Sequence, residues 1–538
     1  MATAAGIIAA RLAAAGCRLA FGIPGGEVLT LLDALDAAGI RFVLAKHENA
    51  AGFMAEGAWH HTGAPGILVA TLGPGIANAV NVIANAHQDR VPLIVLSGCV
   101  DAAERATYTH QVFDHQALLR PIVKASFMAV DGAVGTLADK ALAAAMEGQP
   151  GPVHIDLPVG LAGMEQAEAA PATAMRRAPA GPAPSAELDE ARDWLSQARR
   201  PLVIAGVDVL TQRAEAAVES FARTRGAPVI TTYKAKGVIE EDDPLCLGGA
   251  GLSPRADAIL LPLVRQADLV VLAGYDPIEM RTGWREPFAP GQRVVEFSAV
   301  PNTHHMHRAP IGFIGDVAAG LEALGRDLPA QPAWADGAPA RARAALRQAF
   351  APEPEWGPGV VFATARRVLP RETVVATDSG AHRILLSQMW DCYAPRTLLQ
   401  STALCTMGCA LPLAAGSALA DDRPDPAPRA VIVGDGCLEM VLGELATVRD
   451  LGLPIIVMVL VDESLALIEL KQRASGFANL GVDFPGTDFA AVATAMGGHG
   501  VRVDSAEALE EALRGAMTRR HFTVIACAIG RKAYDGKI

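Results

Sequence analysis

The stretch VLVDESLALIELKQ (459–472) joins an apolar run to a helical pattern, and two acidic residues stand at the junction. The run PIIVMVL (454–460) predicts a buried strand, and the second half of the stretch predicts a helix. Ligands usually bind at the carboxyl ends of strands in α/β sheets, so Asp462 and Glu463 are candidates for a binding site. The alternative is helix capping, because acidic residues complement a helix N-terminus.

The same pattern of short apolar runs and helical stretches repeats along the whole chain of 538 residues. Apolar strands that alternate with helices predict parallel sheets covered by helices on both faces. Two Pro/Ala-rich stretches, near 165–187 and 329–346, favour exposed, extended connectors. We therefore predict three doubly wound α/β domains, over residues 1–165, 186–328 and 347–538.

Composition narrows the class of protein. The chain is 51% hydrophobic and 19% charged, with a formal net charge of −12. An acidic chain without a dense Lys/Arg block argues against a nucleic-acid partner. Eight scattered cysteines without a CxxC pair indicate reduced, buried thiols in a cytoplasmic protein. The first 21 residues lack a basic leader and predict a helix followed by a strand, and no uncharged apolar run is long enough to cross a bilayer.

Two groups of cysteines or histidines could in principle bind a metal, but a structural role explains each of them better. Cys405 and Cys409 lie four residues apart, but they are typical of small apolar residues on a packed helix face. The stretch NTHHMHR (302–308) contains three histidines, without a carboxylate or thiolate at ligand spacing.

A second acidic residue also follows an apolar strand. The stretch VIVGDGCLEM (431–440) places Asp435 between two glycines, and Asp462 follows it by 27 residues. That distance accommodates a helix and a returning strand, so both side chains would emerge side by side on one sheet edge. Two carboxylates with a backbone carbonyl and free helix N–H groups predict a site for Mg²⁺ and a phosphate group.

These motifs together resemble the thiamine-diphosphate (ThDP) enzymes of the pyruvate-decarboxylase and acetolactate-synthase type, over nearly the whole chain. That family carries GDG followed, at this spacing, by a strand that ends in two asparagines. Further matching motifs are FGIPGG (21–26), KHENAAGFMAEG (46–57), TLGPGIANAV (71–80), QPGPVHIDLP (149–158), CTMGCALPLAAG (405–416) and GELAT (443–447). The resemblance implies a pyrimidine-binding first domain, a central domain and a diphosphate-binding third domain.

The resemblance also implies which residues bind ThDP and Mg²⁺. Asp435 and Asp462 match two side-chain metal ligands, and the carbonyl of Ser464 matches a backbone ligand. The residues that match positions in contact with the cofactor are Gly25, Gly73, His382, Gly434, Gly436 and Cys437.

Three further residues match positions around the reacting centre. Glu48 matches the glutamate that faces N1′ of the aminopyrimidine, with which it can share a proton. Met407 matches the bulky residue that holds the cofactor bent, although a core methionine is the alternative. Gln111 matches a polar group near the reacting carbon. His110 and His115 could assist proton transfer or be structural, and both roles stay open.

Two departures from the family pattern bear on cofactor and substrate. Val461-Asp462 replaces the usual Asn-Asn, as in FAD-independent, catabolic acetolactate synthases. The middle segment also lacks the glycine triplet common in FAD-binding relatives, which argues against FAD. Those catabolic synthases carry a lysine where this chain has Glu27. A carboxylate does not attract the carboxylate of a second pyruvate, so either Glu27 points to solvent or the acceptor is not pyruvate.

The resemblance implies a cytoplasmic enzyme that decarboxylates a 2-oxo acid and ligates the remaining fragment to a second carbonyl compound. Acetolactate synthase makes 2-acetolactate and CO₂ from pyruvate in this way. The alternative is a non-ligating decarboxylase, or a ThDP aldehyde lyase, with a non-pyruvate substrate. A catalytically silent nucleotide- or FAD-binding subunit is a third possibility, against which the joint presence of the site residues counts. The family also implies that Glu48 and Asp435 of one site come from different subunits, so we expect a homodimer or homotetramer.

Overall fold

The computed structural model describes residues 2–167, 178–332 and 334–538, and its strands form three six-stranded parallel sheets. Each sheet lies in one of the three predicted segments, with helices between its strands. The prediction of three doubly wound α/β units is therefore confirmed. No helix within these ranges combines the length and the apolar character needed to span a membrane.

The first sheet is built around the stretch that was predicted as a helix followed by a strand. Its strands are β1 (Leu19–Ile23), β2 (Arg41–Leu44), β3 (Gly66–Ala70), β4 (Leu93–Cys99), β5 (Ala125–Met128) and β6 (Val153–Pro158). Its helices are α1 (Ala4–Ala14), α2 (Leu29–Ala37), α3 (Glu48–Thr62), α4 (Pro74–Gln88), α5 (Ala102–Arg105), α6 (His115–Leu119), α7 (Val134–Met146) and α8 (Val159–Ala162). The strand order is β2-β1-β3-β4-β6-β5.

The middle sheet has a different strand order. Its strands are β7 (Pro201–Ala205), β8 (Val229–Thr232), β9 (Cys246–Ala250), β10 (Leu269–Ala273), β11 (Arg293–Ser298) and β12 (Ile311–Ile314). Its helices are α9 (Ala186–Gln197), α10 (Val207–Thr211), α11 (Glu215–Arg225), α12 (Pro254–Gln266) and α13 (Val317–Gly325). The order β12-β11-β10-β7-β8-β9 reverses direction between β7 and β10.

The third sheet contains the two strands that end in the candidate metal ligands. Its strands are β13 (Val374–Thr377), β14 (Leu398–Gln400), β15 (Arg429–Gly434), β16 (Ile456–Val461), β17 (His499–Val503) and β18 (Thr523–Ala528). Its helices are α14 (Ala338–Ala349), α15 (Pro358–Val368), α16 (Ala381–Met389), α17 (Ala410–Leu419), α18 (Asp435–Glu439), α19 (Glu444–Asp450), α20 (Ala466–Ala474), α21 (Phe489–Ala495) and α22 (Ala506–Ala516). The strand order is β14-β13-β15-β16-β18-β17.

The pairing of β15 with β16 aligns their carboxyl ends. The two strands are parallel, and Gly434 pairs with Leu460 at the end of the ladder. The central residues of both strands are buried, because helices cover both faces of the sheet. The residues that follow the two strands therefore emerge at one place.

The first and third segments pack through two glycines. Helix α3 lies against α17, and a Cβ at Gly57 would collide with the carbonyl oxygen of Leu413. A Cβ at Gly416 would in turn collide with the carbonyl oxygen of Met54. Only glycine permits so close an approach of two backbones, so these positions fix how the two segments meet.

One buried ammonium group joins all three segments. Nζ of Lys234, in the middle segment, donates to Oδ2 of Asp89 at 2.7 Å and to the carbonyl of Gln400 at 3.0 Å. Asp89 belongs to the first segment and Gln400 to the third, and all three residues are buried. A buried charge of this kind needs such partners, so the contact ties the segments together.

The second Pro/Ala-rich stretch was wrongly predicted to be an extended connector. Helix α14 covers residues 338–349, with Leu346 buried and a proline in the first turn. Alanine and arginine favour helices, and proline is tolerated at a helix start, so the composition suits a helix as well as a linker. In the first such stretch, residues 168–177 lie outside the described residues. The domain boundaries themselves stay predictions.

Candidate active site

Asp435 and Asp462 lie side by side at the carboxyl ends of β15 and β16. Oδ2 of Asp435 accepts hydrogen bonds from the backbone N–H groups of Asp462 at 3.1 Å and Glu463 at 2.7 Å. The two aspartates are 2% and 6% exposed, respectively. The structure thus brings together the two carboxylates that were predicted to converge.

Neither acidic residue at this junction caps the helix that follows. Helix α20 begins at Ala466, and its N-cap residue is Leu465. Instead, Glu463 has a φ of 55° in a tight turn, and Oδ1 of Asp462 accepts from the N–H of Ser464 at 3.4 Å. The capping alternative is therefore wrong, because these residues shape the turn between strand and helix.

The electrostatics of the pair favour a bound cation. Burial and the neighbouring charge of Asp435 raise the pKa of Asp462 to about 8. Burial also raises the pKa of Asp435, although backbone N–H groups partly oppose this. A carboxylate has about four lone-pair sites, so the bonds that Asp435 accepts from three N–H groups leave room for a metal bond. Two buried carboxylates at one site repel each other, and a divalent cation relieves that repulsion.

A cavity of about 160 Å³ opens beside the two carboxylates. All the predicted site residues of the third segment line it, namely His382, Met407, Gly434, Asp435, Gly436, Cys437, Asp462 and Ser464. Its described lining comes entirely from residues 379–534. Tyr534 also lines the cavity and is buried. Sequence analysis assigned no role to Tyr534.

His382 offers a polar atom without a protein partner in this cavity. The residue is 5% exposed, and within the described part of the chain its Nε2 atom has no hydrogen-bond partner. Burial, and the charge of Arg383, lower the pKa of His382 to about 3, so the imidazole is neutral. A neutral imidazole has one N–H group, so a ligand oxygen would satisfy Nε2 in the tautomer that carries the proton there. The N–H of Gly436, by contrast, already donates to Oδ1 of Asp435 at 2.8 Å.

Asp378 holds the loop that carries Met407, and sequence analysis missed this role. Its buried carboxylate accepts from the N–H groups of Gly408, Cys409 and Ala410, at distances between 2.6 and 3.0 Å. Met407 therefore enters the cavity from a fixed backbone. The available signal was an aspartate that directly follows strand β13, as Asp435 follows β15.

Glu48 occupies a separate place, at the start of α3 in the first segment. It is 5% exposed, and its Oε2 atom accepts from Nδ2 of Asn78 at 3.0 Å. Asn78 lies in the quoted motif TLGPGIANAV, but the amide had no assigned role. Glu48 is not among the residues that line the cavity of the third segment.

The turns of the first segment bring three predicted site residues close to one edge of its sheet, namely Gly25, Gly73 and Gln111. Gly73 has a φ of 68°, and a Cβ there would collide with the carbonyl oxygen of Gln111, whose side chain is exposed. A Cβ at Gly25 would collide with Oγ1 of Thr71. Glu27 is half-buried, and its Oε2 accepts from the same Oγ1 at 2.7 Å. The carboxylate of Glu27 is thus held by Thr71, while part of the residue stays exposed to solvent.

This geometry defines an α/β enzyme with an acidic, phosphate-suited pocket, and comparison with known proteins agrees. The family model of the thiamine pyrophosphate enzyme N-terminal TPP binding domain matches residues 2–118. The model of the central domain matches residues 188–324, and the model of the C-terminal TPP binding domain matches residues 378–527.

Curated relatives match most of the chain. The acetolactate synthase large subunit of Parasynechococcus marenigrum is 31% identical, over 92% of this chain and 82% of that protein. The probable 2-ketoarginine decarboxylase of Pseudomonas aeruginosa is 31% identical, over 96% and 93% of the two chains. The catabolic acetolactate synthase of Raoultella terrigena is 28% identical, over 95% and 92%. The chain belongs to the thiamine pyrophosphate enzyme family, of the acetolactate synthase type, and is a ThDP-dependent enzyme of 2-oxo acids.

Proposed function

We propose that this enzyme decarboxylates a 2-oxo acid and ligates the remaining fragment to a second carbonyl compound, converting pyruvate to 2-acetolactate and CO₂. The observation that carries this proposal is the meeting of Asp435, Asp462 and Ser464 in one buried pocket with His382 and Met407. These residues come from four separate stretches of the chain, and each matches a position of the family motif.

The residues of the pocket suit Mg²⁺ and a diphosphate. Asp435 and Asp462 would bind the metal through side-chain oxygens, and Ser464 would bind it through its carbonyl. Mg²⁺ prefers oxygen ligands and commonly takes one or two carboxylates together with ligand phosphates. The backbone N–H of Cys437 would donate to the diphosphate, and Nε2 of His382 would donate to it in the tautomer that carries the ring proton there. When bound, ThDP supplies the carbon nucleophile and the electron sink that decarboxylation requires.

The remaining site residues position groups and move a proton. Glu48 would share a proton with N1′ of the aminopyrimidine, and Asn78 orients its carboxylate by hydrogen bonding to Oε2. Met407 would press the pyrimidine towards the thiazolium from a loop that Asp378 fixes. Gln111 would offer a polar contact to the substrate.

We propose that the complete site forms between two copies of the chain. Glu48 does not line the cavity that contains Asp435, so a single chain leaves the two halves apart. Apolar surface near the cavity supports a covering partner: Ile468 of the lining is 43% exposed, and Met440, just after α18, is 64% exposed. A two-fold dimer or a homotetramer would bury this surface and pair the two edges.

We propose that the enzyme works without FAD. Asp208 lies in α10, at the carboxyl ends of the neighbouring strands β7 and β10, where a doubly wound sheet binds dinucleotides. It is 1% exposed, and its Oδ2 accepts from the N–H of Ala299 at 2.9 Å. A buried carboxylate at this place would repel the diphosphate of a dinucleotide. In the described chain the cysteines are unpaired, and all of them except Cys405 are buried, which also favours a cytoplasmic location.

A second candidate function is decarboxylation without ligation, on a 2-oxo acid other than pyruvate. Glu27 supports this function. Its half-buried carboxylate lies beside Thr71 at the carboxyl edge of the first sheet, where it would repel an anionic acceptor. The relative named as a probable 2-ketoarginine decarboxylase fits a substrate with a cationic side chain.

A screen of 2-oxo acids with ThDP and Mg²⁺, in which CO₂ and organic products are measured separately, tests the proposal. The expected result is CO₂ together with 2-acetolactate from pyruvate. Free aldehyde alone, or turnover only with another 2-oxo acid, would favour the second function. No turnover of any 2-oxo acid by protein that binds both cofactors would refute both.

A further inference from the structure

A buried polar cluster lies behind the Gly73 turn and takes no part in the mechanism proposed above. His115, His154 and Asp156 are 4%, 0% and 2% exposed. Nδ1 of His115 lies 2.8 Å from Oδ1 of Asp156, and Nε2 of the same ring accepts from the backbone N–H of Gly73 at 3.1 Å. The first of these residues begins α6, and the other two lie on β6.

The contacts fix the tautomer of His115. A backbone N–H can only donate, so Nε2 is unprotonated and the proton lies on Nδ1, which donates to Asp156. Oγ of Ser97 donates to the same carboxylate oxygen at 2.6 Å. Burial by itself raises the pKa of Asp156, but the hydrogen bonds from His115 and His154 outweigh it and hold that pKa well below its usual range. Asp156 therefore stays ionised and orients the ring.

The Gly73 turn that His115 holds supports the start of α4. Gly73 is the N-cap of that helix, with φ 68° and ψ −105°, a conformation that side-chain-bearing residues rarely adopt. The first turns of α4 form one wall around Glu48. Asn78 donates to Oε2 of Glu48, and a Cβ at Gly75 would lie 3.4 Å from Oε1. Displacement of the Gly73 turn would therefore move the groups that orient Glu48.

A metal site is the competing explanation for the cluster. The ligand atoms of His115, His154 and Asp156 lie within 4.8 Å of one another. Each ring nitrogen already has a partner, however. Nε2 of His154 lies 2.7 Å from Oγ of Ser97, and its Nδ1 lies 2.8 Å from Oγ of Ser126. A metal would have to break several of these hydrogen bonds, so the geometry favours a role in positioning.

We propose that His115, oriented by Asp156, is a positioning residue that holds the Gly73 turn, and with it the start of α4, in the conformation that receives the aminopyrimidine of ThDP. This inference rests on the proposed function. It assigns a role to a histidine that touches neither the cofactor pocket of the third segment nor Glu48.

The test compares His115→Phe with the matched control His154→Phe. Both changes remove a buried imidazole from the same cluster, but only His115 contacts Gly73. Three quantities are measured on the full chain: the thermal midpoint, the amide exchange of a peptide spanning residues 71–80 without cofactor, and the Kd for ThDP at saturating Mg²⁺. We expect similar losses of thermal midpoint in both variants. His115→Phe alone should speed exchange in the peptide and weaken ThDP binding about tenfold, because small misplacements of supporting groups are costly.

Two further variants keep the test decisive. Asp156→Asn preserves volume but loses the charge that orients the ring, so it should weaken ThDP binding less than His115→Phe does. His115→Gln, which retains an acceptor, should recover part of the loss. If His115→Phe does not fold, the amide exchange of peptide 71–80 in Asp156→Asn takes its place. Faster exchange would support the inference, and unchanged exchange would contradict it.

Three results would overturn the inference. Equal weakening of ThDP binding in the His115 and His154 variants would mean that the cluster is only structural. A stoichiometric metal in the purified wild-type protein, whose removal by a chelator loosens the Gly73 turn, would make the cluster a metal site. Wild-type protein that binds no ThDP at all would be a different failure, because it refutes the proposed function and this inference with it.

Discussion

The first and third sheets have the same strand order but different chemistry at their carboxyl edges. Strands β3 and β4 occupy the places in the first sheet that β15 and β16 occupy in the third. The residues directly after β15 and β16 are Asp435 and Asp462, whereas those after β3 and β4 are Thr71 and Val100. The topology decides where residues meet, and the side chains at those places decide what can bind.

The difference separates two tasks that the chemistry requires. The carboxyl edge of the third sheet, here called the third edge, concentrates negative charge in a buried cavity, which suits a divalent cation and its phosphates. The carboxyl edge of the first sheet is called the first edge. The first edge presents a single buried glutamate beside the neutral amide of Asn78, which suits proton exchange with a weakly basic ring nitrogen. Loss of the Glu48 carboxylate at the first edge should therefore affect mainly turnover, and loss of a carboxylate at the third edge should affect mainly binding.

Glu48→Gln should produce the largest effect and test the first edge. The amide keeps the shape of the side chain but cannot exchange a proton, so kcat should fall by about 10²–10⁴, the usual contribution of general acid–base catalysis. The Kd for ThDP should change little. Steady-state kinetics with the best 2-oxo acid, together with calorimetric titration of ThDP, would check this. Unchanged turnover would contradict the role given to Glu48.

Asp435→Asn tests the third edge. Loss of a charged ligand should weaken Mg²⁺-dependent ThDP binding by more than about 100-fold, because even the partners of metal ligands are worth 10- to 100-fold. The matched control is Glu463→Gln, an adjacent acidic residue whose side chain is 45% exposed and pairs with Arg531. Calorimetric titration should find the control close to wild type. Equal losses of ThDP binding in both variants would contradict the role of Asp435 as a metal ligand.

Met407→Ala tests the loop between the two edges. Without the thioether, the pyrimidine would lose its support, and kcat should fall about tenfold, because imprecise positioning is costly. Met407→Leu keeps most of the volume and serves as the control. A similar kcat for all three proteins would make Met407 an ordinary core residue.

Mixing two inactive variants tests whether the two edges come from different chains. In a two-fold dimer, a hybrid of Glu48→Gln and Asp435→Asn chains contains one intact site and one doubly altered site. Random pairing should restore about one quarter of wild-type activity. Co-expression with two different tags allows the hybrid to be purified, and its activity should be about one half of the wild-type value, because one of its two sites is intact. An inactive hybrid would place both residues of a site on the same chain.

Glu27→Gln should have the smallest effect and refine the substrate preference of the first edge. Removal of this half-buried charge should lower the KM for an anionic acceptor about threefold, since a partly exposed charge contributes at most about 1 kcal/mol. Initial rates across acceptor concentrations measure it. The KM for a 2-oxo acid with a cationic side chain should instead rise. If the KM changed in the same direction for both acids, a charge effect would be ruled out.

Much of the architecture was predictable from local pattern. The buried run that became β16 and the glycine-flanked Asp435 after β15 were both evident, and parallel pairing then required their carboxyl ends to meet. The resemblance to the ThDP family likewise indicated which residues of the third segment belong to one site. The roles assigned to these residues remain predictions.

The parts that sequence reasoning missed depend on contacts between distant residues. Asn78 lies in a quoted motif and Asp378 directly follows β13, but nothing in their neighbours along the chain reveals that one binds Glu48 and the other holds the Met407 loop. The place of Tyr534 depends on where the chain returns after β18. Helix α14 was missed because proline and alanine were interpreted as linker residues.

The close contact between α3 and α17 has a consequence for mutational scanning. Gly57 and Gly416 have no proposed part in the chemistry, yet no side chain fits at either, because a carbonyl oxygen of the facing helix occupies the space. In a screen scored by growth or by turnover, both positions would look as intolerant as a metal ligand. Abundance measured in parallel would separate them, because substitutions at these glycines should deplete the folded protein while substitutions at Asp435 should leave it present but inactive.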